Sequence, residues 1–205
     1  MIDFRYAAGQ IDATLRMAQN RPGWTDGLDR SVDGVFRSFA AMALAAPFLA
    51  VNAAAGRVAA QETDALTREP IVTAPLAAFL PIQLVAAYAD WFATLALLAF
   101  IARAVGASRR AAELIAGYNW IQLPLVGLQS IPAAAILMPG ESSLAAVLVL
   151  PVIAIAMALL WGYLRRALAL EPAWTLLLLI LLTLVGLVAQ NLASSIGFGL
   201  YRLFA

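Results

Sequence analysis

Between Pro75 and Arg103 the chain reads PLAAFLPIQLVAAYADWFATLALLAFIAR, an apolar run interrupted by one carboxylate, Asp90. A membrane span needs roughly 20 mostly apolar residues, and this stretch exceeds that length. An acid at such depth is costly against lipid and has to face protein or water. The run therefore belongs in a bundle whose other helices give Asp90 polar company. Composition agrees: 63% of the 205 residues are hydrophobic and 12% are charged, where a soluble domain holds about half and about a quarter.

Hydropathy predicts spans over about residues 36–55, 78–102, 111–138, 143–163 and 173–193. The expected fold class is all-α: a polytopic membrane protein, a five-transmembrane-helix bundle over 35–205 behind an N-terminal cytoplasmic amphipathic segment over 1–34. In that segment Phe4, Ala8, Ile11, Leu15 and Ala18 recur at helical spacing on one face, with Arg5, Asp12 and Arg16 on another. Such a helix either lies among lipid headgroups with its apolar face down or packs on a neighbouring helix. Arg21-Pro22-Gly23 ends it, and Trp24 stands where an interfacial tryptophan is expected. Ser31 reads as an N-cap with Asp33 in the first turn, and Pro47 is expected to kink the first span. Residues 56–74 form the most polar connection, with Arg57, Glu62, Asp64, Arg68 and Glu69; Pro139-Gly140-Glu141-Ser142 reads as a tight turn. Glu113, at the start of the third span, is expected to be solvated at the interface. The tail beyond 193 continues the last helix.

Arginine supplies all thirteen basic residues, which we read as a bias of genomic composition. Five spans place Arg5, Arg16, Arg21, Arg30, Arg37, Arg103, Arg109, Arg110, Arg165 and Arg166 on one side, and Arg57, Arg68 and Arg202 on the other. The positive-inside rule then puts the N-terminus in the cytoplasm and the C-terminus in the periplasm of a bacterial inner membrane. The first residues lack the pattern of a cleaved signal peptide, so insertion is expected to begin at the first span. The chain has neither cysteine nor histidine, which excludes disulfides, thiol nucleophiles, imidazole bases and the usual zinc ligand sets. No Gly-rich phosphate loop follows a strand. No cofactor, metal or nucleic-acid partner is expected.

Polar residues inside the spans follow helical spacing. Gln83, Ala87, Asp90 and Thr94 share one face of the second span. Asn119, Gln122 and Gln129 share a face of the third, and Thr183, Gly186, Gln190 and Ser194 a face of the fifth. We expect these stripes to converge, with Tyr118, Asn119 or Gln122 at the depth of Asp90, and with Asn52, Gln83 and Gln190 grouped in the outer half. The candidate intramembrane cluster is thus Asp90, Tyr118, Asn119, Gln122, Gln83, Thr94, Gln190 and Asn52. Two roles suit it: hydrogen bonds that tie helices together, or a path for a proton or small solute.

Gly117-Tyr118 followed by Pro124 and Pro132 in an apolar run resembles the third span of the Yip (Ypt-interacting protein) domain family. Asp33-Gly34-Val35-Phe36 is similar to that family's acidic-aromatic-glycine-proline motif, with the glycine displaced and the proline missing. DGVFRSF with a later YNW also resembles a group of small uncharacterised bacterial membrane proteins. The Yip resemblance implies five spans, a cytoplasmic N-terminus and kinship with trafficking and membrane-shaping adaptors that bind small GTPases, a partner bacteria lack. The expected function is therefore non-enzymatic: an accessory, scaffold or membrane-organising protein whose partners are the bilayer and a membrane protein or a second copy. The alternative is a small transporter or channel-like protein using Asp90; a lipid-modifying enzyme comes third.

Overall fold

The computed structural model describes residues 3–62, 69–140 and 142–204. Among them there is no strand; the chain is all-helical. Asp64, Arg68 and Glu141, named in the polar connection and the turn, lie outside the described residues.

Helix α1 (Phe4–Ala18) begins at Asp3, whose carboxylate accepts from the Arg5 and Tyr6 amides at 3.0 and 3.1 Å. An Asp12–Arg16 pair one turn apart, 2.7 Å, lies on its exposed side. Asn20, with φ 59°, closes it in the left-handed region. The buried face is Ala7, Gln10, Ala13, Thr14, Met17 and Ala18. The expected apolar face overlaps this in part: Ala18 is buried and Ile11 and Leu15 are half-buried against the core, whereas Phe4 is 71% exposed and Ala8 is exposed. Small residues win the contact because they let α1 come close to its neighbours. The Ala18 carbonyl touches Gly162, where a Cβ would collide with it. The Arg166 guanidinium donates to that same carbonyl at 2.8 Å and to Asn20 Oδ1 at 3.0 Å. Gln10 then holds the connection that follows α2 (Trp24–Gly27): its amide donates to the Gly27 carbonyl at 2.9 Å and accepts from the Asp29 amide at 2.8 Å.

Ser31 caps α3 (Val32–Ser38) by accepting from the Gly34 amide at 2.9 Å. The helical path pauses at Phe39 and runs on as α4 (Ala40–Gln61), six residues beyond the span expected from hydropathy. After α5 (Pro70–Thr73) come α6 (Leu76–Ala104), a 3-10 turn over Ser108–Arg110, α7 (Ala111–Ile136), α8 (Ser142–Ala167) and α9 (Pro172–Phe204). The tail thus extends α9, as expected. Pro70, Pro75 and Pro172 sit at helix starts, where a missing N–H costs nothing.

Four helices among the described residues are long and apolar enough to cross a membrane: Val32–Gln61 (α3 running on into α4), Leu76–Ala104, Ser143–Ala167 and Pro172–Phe204. Helix α7 is equally long but more polar, and it occupies the middle of the bundle, packed by α1, α3, α4, α6 and α8. Fourteen of its 26 residues are buried, against seven of 29 in α6. Glu113, Tyr118, Asn119 and Ser130 are buried among these neighbours, while Gln129 is exposed.

Side-chain pairs fix the directions. α6 and α9 run antiparallel, with Phe79 stacked on Phe198, Gln83 donating to Ser194 at 3.1 Å, and Asp90 against Gly186. α3 and α4 follow α7 in parallel: Ser38 at the end of α3 meets Asn119, and Phe48 on α4 meets Ser130. α8 returns beside α7, with the Tyr163 ring filling the space over Gly117 and its hydroxyl donating to the Leu114 carbonyl at 2.5 Å. One apolar core runs through all of these and through α1. A smaller cluster, Ala74, Phe79 and Phe198, closes the opposite end, where Arg57 lies over the Phe79 ring and Arg202 pairs with Glu69 at 3.8 Å. Glu113 departs from expectation. It is 7% exposed rather than solvated, and Arg30 faces it at 3.6 Å. Packing of α1 and α3 on α7 covers it.

Candidate functional site

Asp90 sits at the midpoint of α6, fourteen residues from either end, or about 21 Å along the axis. Its carboxylate lies against the backbone of α9 at Gly186, where an added Cβ would overlap Oδ1. Only glycine leaves that space, because any other residue at 186 would push the acid away. Thr94, one turn along α6, donates to Oδ1 at 3.2 Å. Among the described residues no basic side chain pairs with Asp90.

The carboxylate opens on a cavity of about 310 Å³ between α4, α6, α7, α8 and α9. Asn52 from α4, Thr94 from α6, Tyr118, Gln122 and Gln129 from α7, and Thr183 and Gln190 from α9 give it a polar lining. Gln122 donates its amide to the Tyr118 hydroxyl. The Asn52 Oδ1 is buried and has no hydrogen-bond partner among the described residues. The wall from α8 is apolar: Ala156, Met157 and Leu160. Three lining residues, Gln129, Thr183 and Leu187, are exposed, so the space is not sealed. Toward the start of α7, Leu98, Leu114 and Tyr163 are fully buried in the apolar core.

The structure places the eight candidate residues in three settings. Asp90, Thr94, Tyr118, Gln122, Gln190 and Asn52 all line the cavity. Gln83 does not; it is spent on Ser194, tying α6 to α9. Asn119 does not reach Asp90 either. It is fully buried, its Oδ1 accepts from Trp91 Nε1 at 2.8 Å, and its Nδ2 donates to Ser38 Oγ at 2.8 Å. Depth alone placed Asn119 beside Asp90. The bulky Trp91 next to the acid claims the amide instead, because an indole N–H buried in a bundle needs an acceptor.

No family model matches the chain, and no curated protein or solved structure is similar to it. The site must therefore be read from its own chemistry. It is a mid-bundle space with one carboxylate, several amides and hydroxyls, and an apolar wall. Its volume lies near the lower end of small-ligand pockets. Missed by sequence reasoning were the role of Gly186 as the seat of Asp90 and the apolar wall from α8. The first had a signal: Gly186 is the one residue without a side chain in the α9 stripe, at the level of the acid.

Proposed function

We propose that the chain is a five-span protein of the bacterial inner membrane that binds a small polar solute, or a proton, at Asp90 and carries it across. The observation that carries this reading is the cavity at the midpoint of α6. A bundle that used Asp90 only to tie helices would have closed over it, and interhelical hydrogen bonds contribute only about 0.6–2 kcal/mol each. An acid left facing an open space is better explained as a binding group, since intramembrane acids mark solute and proton routes.

Helix α7 supplies the fifth span in this reading. Its 26 residues reach about 39 Å, and most of its polar residues are covered by the helices around it. The arginine asymmetry supports a cytoplasmic end formed by α1, the 3-10 turn and the α8–α9 connection, with Arg57 and Arg202 at the periplasmic end. The reading is non-enzymatic; the ionisable groups among the described residues lining the cavity are the Asp90 carboxylate and the Tyr118 phenol.

Reconstitution into liposomes tests it. Entry of protons or of a small polar solute is expected with the natural chain and lost with Asp90→Asn. Flux that survives Asp90→Asn, or no flux of any probe, would leave Asp90 as a tie between helices. The accessory or scaffold role implied by the Yip resemblance would then be the better account, and a stable membrane partner should co-purify.

A further inference from the structure

The lining of the cavity narrows what it can hold, an inference that rests on the solute-binding reading above. We propose that the Asp90 cavity binds a small primary alkylammonium ion, its headgroup on Asp90 and its alkyl end against α8.

Charge comes first. Among the described residues lining the cavity Asp90 is the one that is charged, and among the described residues the neutral Thr94 hydroxyl alone bonds it. An uncompensated carboxylate at mid-membrane depth is costly, so its charge is stable there only with a cation beside it. An anionic solute is disfavoured for the same reason.

The acceptors come next. The Asn52 Oδ1 is buried without a donor. Gln122 has committed its amide nitrogen to Tyr118, which leaves its oxygen to accept. An ammonium group has three N–H donors and no acceptor, which suits a cavity whose lining includes a carboxylate and amide oxygens. A bare alkali cation is a poorer match. It wants several oxygens close around it, whereas these oxygens come from separate helices around about 310 Å³.

The third element is the apolar wall. Ala156, Met157 and Leu160 on α8 offer no hydrogen bond to a solute. A short alkyl chain gains by covering them, at about 25 cal/mol per Å² of apolar surface removed from water. A polar seat and an apolar α8 face lining one small space suit a short amine.

Thermal unfolding of the purified chain in nanodiscs tests the proposal, with propylammonium, 1-propanol, propionate and potassium chloride compared at equal concentration and ionic strength. Propylammonium is expected to raise Tm, and the other three are not. The apparent Kd for propylammonium should weaken by about tenfold or more in Asp90→Asn, the loss of an ion-pair-sized increment of about 1.4 kcal/mol. A second variant, Ala156→Leu, narrows the apolar wall and leaves the acid in place. It should weaken propylammonium more than methylammonium. Equal shifts with 1-propanol or potassium chloride, no shift with any amine, or propylammonium binding unchanged in both variants would overturn the proposal. The two readings fail separately. Amine binding without flux sinks the transport reading and keeps the site. Proton flux without amine binding sinks this assignment alone.

Discussion

Gly186 decides whether Asp90 has a seat, since a methyl group there would overlap the carboxylate Oδ1. Gly186→Ala should cost about 1–3 kcal/mol, the usual range for forcing a side chain into a packed site. The loss should appear as a lower Tm in detergent. Combining it with Asp90→Ala should return most of that loss, because the collision is with the acid itself; a double variant as unstable as the sum would show another cause. Asn119 offers a contrast. Its amide serves Trp91 on α6 and Ser38 on α3 at once, so Asn119→Ala orphans the buried indole N–H. We expect a destabilisation of about 1–3 kcal/mol, with little direct effect on solute binding, read as a Tm drop with an unchanged Kd. These two residues also show what a sequence can and cannot carry. Helical spacing put Asp90, Thr94, Gln122 and Gln190 on facing stripes. It could not choose between Asp90 and Trp91 as the partner of Asn119, since adjacent side chains on α6 at nearly one depth differ only in rotation.

Helix α1 is held to the bundle at both ends by different means. Its far end is fixed by Arg166 and by close approach to Gly162. Near its start, the Tyr6 hydroxyl donates to Asp29 Oδ2 at 2.9 Å. The Ser31 hydroxyl does most to hold the Asp29 carboxyl below its ordinary value; desolvation opposes it, and the Ser31 amide, Tyr6 and Arg37 assist. Burial, then the hydrogen bond and charge of Asp29, push Tyr6 up to about 12. The signs give a window. Asp29 contributes stability above its unfolded value of about 3.9, and that is lost as pH falls through its lower folded value. Tyr6 contributes below about 10, and that is lost as pH rises through its folded value of about 12. Hydrogen exchange of the α1 amides should therefore be slowest between about pH 4 and 10 after correction for the intrinsic rate. Protection independent of pH at both ends would contradict the coupling. Periodicity showed that 3–19 is helical but placed its face only in part: Ile11, Leu15 and Ala18 pack on the core, while Phe4 and Ala8 are exposed. Large apolar residues such as Phe4 signal lipid or a partner equally well, whereas the contact is made by alanines, Thr14 and Met17, whose small size a hydrophobicity pattern undervalues.

The bundle is built around α7, the helix whose composition looks least like a span. A central helix surrounded by protein needs less hydropathy than one facing lipid, which is why four helices qualify by length and apolarity while the middle one does not. The same arrangement makes the cavity: α7 and α6 bring the amides and the acid, α9 brings glycine and glutamine, and α8 brings an apolar wall. Helix existence and approximate ends were legible in the sequence, since long apolar runs broken by Pro and Gly leave little choice. The cavity was not, because a void is a property of how five surfaces fail to meet.

The natural chain contains no cysteine, so single cysteines report on one site each. Labelling of Asn52→Cys and Gln190→Cys, in the cavity wall, should be compared with Val147→Cys and Val188→Cys, 71% and 66% exposed on the outer faces of α8 and α9. A membrane-impermeant, water-borne thiol reagent added to cells should modify the first pair and spare the second. Labelling of the two valine positions with none at 52 and 190 would contradict a water-filled space at Asp90.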